Sequence, residues 1–205
     1  MSLQGEIALS IENKLRVFSR LSKVPFVILR AFSIYGPFEE SIGPAATVTG
    51  IFKRKYDLDA PITISGDGSN RRDFIHVDDI VTGIILAAQT SKSDNQLINL
   101  GSGTDFSIKQ VAEMVSPYSK YDMTLKGYDL KVSLADTDRM KSILGLKLNH
   151  SFSESYPKII SNQLYSLQMD AKKWVSTVDM NLAPWILNSG YLKPKHSSEA
   201  RVLSP

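Results

Sequence analysis

The apolar residues near the start of the chain change from a helical to a strand-like spacing. Between Ile7 and Leu21 they recur every three or four positions, which predicts an amphipathic helix. The segment from Pro25 to Ala31 is too short and too continuously apolar for such a helix, and it predicts a buried strand. A helix that leads directly into a buried strand indicates an α/β sheet.

The middle of the chain repeats this alternation of helices and strands. Turn sequences such as Gly66-Asp67-Gly68 and Gly101-Ser102-Gly103 separate its apolar segments. Asp78 or Asp79 is predicted to cap a helix, and capping boxes are predicted to begin at Ser107 and Ser151. The predicted strands cover residues 61–65, 72–77 and 96–100, and the predicted helices include residues 45–55, 80–88, 136–144 and 151–169.

Composition narrows the class of protein. The chain has 205 residues, of which 42% are hydrophobic, and a net charge of +3 without long blocks of one sign. These values predict one globular domain over residues 1–169 followed by an irregular, partly disordered tail over residues 170–205. They do not favour nucleic acid as a partner. No apolar run is long enough to cross a membrane and no secretion signal is apparent, so we expect a cytoplasmic protein.

Cysteine is absent and the three histidines are widely separated in sequence. Disulfides, thiolate metal sites and a cysteine nucleophile are therefore excluded, and no histidine cluster has the spacing of metal ligands. We predict no metal site. His76 lies directly before a predicted helix cap, and we interpret it as a structural residue.

Three separated strings carry a resemblance to a known family. They are VILRAFSIYGP from Val27, GDGSNRRDFIHVDDI from Gly66 and INLGSG from Ile98, and Ala135-Asp136-Thr137 follows them. In order and spacing they resemble the extended short-chain dehydrogenases/reductases of the NAD-dependent epimerase/dehydratase family. The resemblance covers roughly residues 7 to 165. It implies the C-terminal portion of a Rossmann-type sheet with the small α+β substrate-binding lobe, an α/β fold.

The resemblance also implies a set of ligand-binding residues. Arg72 matches the arginine that holds the diphosphate of a nucleotide-sugar, and Ser33 matches a residue that contacts the same ligand. Phe32 corresponds to a position whose backbone lies near the nicotinamide of NAD or NADP. Lys126 takes the place of a second phosphate-binding arginine, although a lysine lacks the bidentate geometry and a solvated surface position is the competing interpretation. The implied substrates are UDP-, GDP- or dTDP-linked sugars.

The residues that relatives use for catalysis do not appear at the matching positions. Residues 1–205 contain no strand followed by a glycine-rich dinucleotide-binding turn. The family's spacing places the catalytic tyrosine and lysine at Gln4 and Ala8, and neither can replace a phenol and an ammonium in proton transfer. We therefore predict no catalytic residues, no retained cofactor and a chain that lacks the N-terminal dinucleotide-binding half.

Three interpretations follow from this pattern. The chain is the substrate-binding remnant of an epimerase or dehydratase, with truncation as the simplest cause. Alternatively, it is a non-catalytic binding or assembly subunit that pairs with a full-length relative, or with a second copy, through the helix between Ile7 and Leu21. The third interpretation is a pseudogene product without a selected function. In each case we expect exposed apolar surface and a tendency to aggregate.

Overall fold

A computed structural model describes residues 3–64, 66–116 and 130–161, and all of them lie in one compact unit. Lys126 and the predicted tail after residue 169 lie outside the described residues. The helices are α1 (Leu3–Ser22), α2 (Val48–Asp57), α3 (Val77–Gln89), α4 (Ile108–Val115) and α5 (Phe152–Ile160). The strands are β1 (Val27–Ala31), β2 (Ser33–Tyr35), β3 (Arg71–His76), β4 (Gln96–Leu100), β5 (Asp105–Ser107) and β6 (Val132–Ser133). A 3₁₀ turn (Ser91–Ser93) and a π-helical turn (Met140–Leu144) complete the list.

The strands form two sheets. β1 pairs in parallel with β4, in a register that sets Val27 opposite Gln96 and Ala31 opposite Leu100. β2 pairs in parallel with β3, which also pairs with β5 in antiparallel and with β6 in parallel orientation. The α/β class predicted from the sequence is confirmed.

Two apolar clusters hold this arrangement together. The first is rich in aromatic side chains from β2, β3, α2 and α5, in which Phe74 stacks on Phe152 with ring centroids 4.3 Å apart. The second joins aliphatic side chains of α3 and β4 to residues that follow the π-helical turn, including Ile80, Ile98 and Leu146. β3 contributes to both clusters, through Phe74 and Ile75 respectively. Side chains alternate along a strand, so β3 is buried on both faces.

The predicted cap of α3 is wrong. α3 begins at Val77, and the imidazole of His76 accepts a hydrogen bond from the backbone N–H of Asp78. Asp79 therefore lies within the first turn, where it is buried and accepts hydrogen bonds from the backbone N–H groups of Asn149 and His150. The strand begins and ends one residue earlier than predicted, so the capping position moves back to the histidine.

The other predicted caps and strands show what a sequence pattern can and cannot predict. Ser107 and Gln110 form the predicted capping box, whereas the Ser151 hydroxyl makes no capping hydrogen bond to α5. Residues 61–64 alternate between exposed and buried positions as a strand would, but they form no strand. Alternation indicates which side chains are buried, and it does not establish that the backbone pairs with a neighbouring strand.

Candidate substrate-binding site

The site predicted from the sequence lies where the chain crosses from one sheet to the other. β1 belongs to the β1–β4 sheet and β2 to the sheet of β3, so Phe32 is the single residue between them. The backbone N–H of Phe32 donates to the carbonyl of Leu100 at 2.9 Å, which extends the pairing of β1 by one residue. Phe32 and Ser33 therefore follow the carboxyl end of a parallel strand, the edge at which open α/β sheets bind ligands.

Ser33 and Arg72 lie on the same face of their sheet. The register places Ser33 opposite Phe74, and Arg72 precedes Phe74 by two residues on β3. Paired residues share a face and side chains alternate along each strand, so Arg72 and Ser33 point to one side. Their separation along the strand direction is about 7 Å, a distance that one sugar diphosphate spans. Both side chains are half-buried.

Backbone carbonyl groups orient the Arg72 guanidinium. Its Nη1 donates to the carbonyl of Leu130 at 2.6 Å and to the carbonyl of Arg71 at 2.8 Å. Strand alternation places Asp73 on the face of β3 opposite to Arg72. The neighbouring Arg71 forms an ion pair with Asp105 at 2.6 Å. The hydrogen bond from Arg71 lowers the pKa of the Asp105 carboxyl.

The glycine-rich turn after β4 does not form a cofactor cradle. The backbone N–H groups of Ser102 and Gly103 both donate to the carboxylate of Asp73, at 2.7 and 2.8 Å. A Cβ on Gly101 would lie 2.3 Å from the Cβ of Ala135, so this glycine permits an internal contact. The turn therefore binds the protein's own carboxylate where a dinucleotide turn would bind a pyrophosphate. The N–H groups of this turn are therefore not available to the pyrophosphate of NAD.

The positions that correspond to the family's catalytic pair lie on the surface of α1. Gln4 and Ala8 are one helical turn apart, and both are exposed. Neither side chain has an ionisable group, so these two positions supply no proton donor or acceptor for a sugar hydroxyl.

A half-buried carboxyl that the sequence did not predict organises the loop after β2. Glu39 accepts hydrogen bonds from the hydroxyl groups of Thr47 and Thr49. Burial raises the pKa of the Glu39 carboxyl. Gly36 at the start of this loop has a φ of 144°, and a Cβ there would lie 2.7 Å from Val77. The only sequence signal for this contact was the turn at Tyr35-Gly36-Pro37, which does not predict a partner ten residues later.

The fold brings together two histidines that are 74 positions apart in the numbering. The His76 and His150 rings stack with centroids 3.9 Å apart and an interplanar angle of 18°, and the Asp78 carboxylate lies 3.6 Å from His76 Nδ1. Burial, followed by the proximity of His150, lowers the pKa of His76. The three side chains are close enough to surround a cation. However, imidazole lone pairs lie in the ring plane, so nearly parallel stacked rings direct them past each other, and His76 Nδ1 already accepts from Asp78.

Within the part of the chain that the structure describes, none of the helices combines the length and the apolar character needed to cross a bilayer.

Comparison with known proteins shows which family the chain resembles. Residues 9–101 match the model of the NAD dependent epimerase/dehydratase family. The dTDP-L-rhamnose 4-epimerase of Burkholderia thailandensis is 26% identical over 71% of this chain and 42% of its own length. The UDP-glucose 4-epimerase of Thermotoga maritima, solved with UDP-glucose, is 27% identical with a TM-score of 0.69, covering 78% of this chain and 52% of that protein. The chain is thus similar to the NAD-dependent epimerase/dehydratase family over residues 9–101.

A further structure contains both a sugar nucleotide and the cofactor. The UDP-glucuronic acid 4-epimerase of Bacillus cereus, solved with UDP-glucuronic acid and NAD, is 27% identical with a TM-score of 0.62, covering 77% of this chain and 51% of that one. The chain thus spans about half the length of these relatives. The predicted fold, part of an epimerase Rossmann-type structure, is confirmed.

Proposed function

We propose that this chain is the substrate-binding part of a nucleotide-sugar epimerase or dehydratase and that Arg72 binds the diphosphate of a UDP- or dTDP-linked sugar. The observation that carries the proposal is the placement of Arg72 and Ser33 on one face, beside the crossing point at Phe32. Two carbonyl groups hold the guanidinium in place, and a fixed guanidinium suits paired phosphate oxygens better than a mobile one. Lys126 as a second phosphate ligand stays a prediction.

We further propose that residues 1–205 do not perform the hydride chemistry of the family alone. In relatives, bound NAD supplies the hydride acceptor. Here the N–H groups of Ser102 and Gly103 donate to Asp73, and Gln4 and Ala8 occupy the positions of the acid–base pair. The contribution of this chain is to bind and orient the sugar nucleotide. The predicted cytoplasmic location and the Phe32 contact to nicotinamide stay predictions.

Titration calorimetry with UDP and UDP-glucose tests the binding proposal. We expect Arg72→Ala to weaken UDP binding about tenfold or more, because a bidentate guanidinium–phosphate contact is lost. Arg71→Ala is the matched control, since it removes the same charge from the adjacent position but from an arginine that pairs with Asp105. Equal losses in both variants would indicate nonspecific attraction by charge, and absence of UDP binding by the unaltered chain would reject the proposal.

A second candidate function, assembly with another protein, rests on the polarity of α1. Glu12 is the only residue of this helix that is buried. Leu3, Ile7, Phe18 and Leu21 are 52–80% exposed and lie on one side of the helix. A helix that directs its apolar side outward is typical of an interface, and we propose that this side contacts a second copy or a full-length relative.

Sedimentation equilibrium tests the assembly proposal. Phe18→Glu places a charge in the middle of the apolar side. We expect this variant to lose both self-association and association with a co-expressed full-length relative. Arg20→Glu is a control on the same helix, because this residue is charged and exposed and lies away from the apolar side. A monomer for the unaltered chain, together with no complex with a relative, would contradict the proposal.

A further inference from the structure

The buried carboxylate of Asp73 accepts hydrogen bonds from two segments outside β3. It is fully buried and accepts four hydrogen bonds: from the N–H and hydroxyl of Ser102, both at 2.7 Å, from the N–H of Gly103 at 2.8 Å and from the N–H of Ala135 at 3.1 Å. These donors belong to two segments that are distant from β3 in sequence. A buried carboxylate with such a set of donors is satisfied only while both segments remain in place.

One of these segments carries the carbonyl that orients Arg72. Residues 130–135 lie beside β3 and include the short strand β6, in which Val132 lies opposite Arg71 and Ser133 opposite Arg72. The N–H of Arg71 donates to the carbonyl of Lys131 at 2.7 Å. At one end of this segment Ala135 donates to Asp73, and at the other the carbonyl of Leu130 accepts from Arg72. Adjacent residues on opposite faces of β3 thus contact the two ends of the same six residues.

We propose that Asp73 is a positioning residue for diphosphate binding, which acts through the segment 130–135 on the guanidinium of Arg72. The inference rests on the proposed function of Arg72 and extends it to a residue that does not contact the ligand. Asp73 fixes Ala135, the pairing of β6 with β3 transmits that position, and the Leu130 carbonyl holds Arg72 Nη1. The ligand gains a guanidinium that is already oriented, so less conformational freedom is lost on binding.

The direction of the expected effect separates positioning from charge. Asp73→Asn removes a negative charge next to a site for anions, so a purely electrostatic role predicts that UDP binds more tightly. An asparagine side chain offers one acceptor oxygen, and its amide group turns a donor toward one of the two sets of N–H groups. Positioning predicts weaker binding, because either the N–H groups of Gly103 and Ala135 or the N–H of Ser102 lose their acceptor.

Asp79→Asn is a matched control in the same fold. Asp79 is 1% exposed and also accepts hydrogen bonds from distant backbone N–H groups, those of Asn149 and His150. The two variants change charge and buried hydrogen bonding in the same way, but only Asp73 contacts the segment that holds Arg72. Both are expected to lose stability, so binding is measured below the unfolding temperature of each variant.

The experiment compares the affinities of UMP and UDP for each variant by titration calorimetry. We expect the preference for UDP over UMP to fall about tenfold in Asp73→Asn and in Arg72→Ala, and to persist in Asp79→Asn. Ala135→Pro removes the N–H donor to Asp73 in a segment without regular structure. It is expected to lower the preference for UDP as well, and it serves if Asp73→Asn does not fold.

The possible outcomes distinguish this inference from the function on which it rests. If the unaltered chain shows no binding of UDP, the proposed function fails. If UDP binds and Arg72→Ala loses the preference while Asp73→Asn and Ala135→Pro keep it, Arg72 binds phosphate but the positioning role of Asp73 is overturned. Tighter UDP binding by Asp73→Asn would also overturn it.

Discussion

Strand β3 and helix α1 show opposite relations between polarity and burial. In β3 the charged side chain of Asp73 is fully buried, and every contact that it needs comes from within the described residues. In α1 the apolar side chains are exposed, and the one buried residue is Glu12. The difference teaches that the buried charge of β3 finds its partners among the described residues, whereas α1 has a side whose composition suits a protein neighbour. Three pairs of substitutions follow, in order of decreasing effect.

The largest expected effect is the loss of an aromatic side chain from β3. Phe74 is 2% exposed and stacks on Phe152, so Phe74→Ala should lower the free energy of unfolding by about 3–5 kcal/mol. Leu21→Ala removes an apolar side chain that is 80% exposed on α1, and its cost should stay within about 0.5 kcal/mol. Urea unfolding followed by circular dichroism measures both values. Similar losses in the free energy of unfolding would show that the isolated chain buries α1, and they would contradict the difference between β3 and α1.

The second test concerns the contact that α1 does make with the sheet. Glu12 accepts two hydrogen bonds from Arg30 of β1, at 2.7 and 2.8 Å, and this contact lowers the pKa of the Glu12 carboxyl below its ordinary value of 4.5. Glu12→Gln should reduce stability by about 1–2 kcal/mol, because a hydrogen bond to a charged group is lost and Arg30 remains half-exposed.

The pH dependence of this contact has a definite sign. The folded pKa is lower than the unfolded one, so the stabilisation is fully present above the unfolded value and is lost as the pH falls through the folded value. Melting temperatures measured from neutral pH down to about pH 3 should therefore converge for the unaltered chain and Glu12→Gln at the acid end. The exposed Glu6→Gln is the control on the same helix. A constant difference across this range would contradict the assignment.

The smallest effect separates two capping sequences that look alike. Ser107 caps α4 through a complete capping box, so Ser107→Ala should cost about 1 kcal/mol. Ser151 occupies the same position before α5 without a capping hydrogen bond, and Ser151→Ala should cost only a few tenths of a kcal/mol. Thermal unfolding of the two variants compares them directly. A larger loss of stability for Ser151→Ala would support the capping box predicted from the sequence.

The sequence predicted most of the elements because their signals are local. The apolar spacing before Leu21, the continuous apolar run up to Ala31 and the strand at Gln96–Leu100 each depend on neighbouring residues only. The cap by His76 was missed because aspartates are much commoner in that role. The contacts of Asp73 and Glu39 could not be predicted, since their partners are supplied by segments that meet only after folding. Family resemblance selected Ser33 and Arg72, and it gave no indication that Leu130 holds the guanidinium.

Hydrogen–deuterium exchange in the presence of UDP tests the central claim, that the lobe around β3 binds a sugar nucleotide, most directly. At saturating UDP we expect slower exchange in the peptides that contain Ser33–Tyr35 and Arg71–His76, with no change in α1, and we expect Arg72→Ala to remove this protection. Protection confined to α1, or unchanged exchange throughout at concentrations that saturate binding, would contradict the claim.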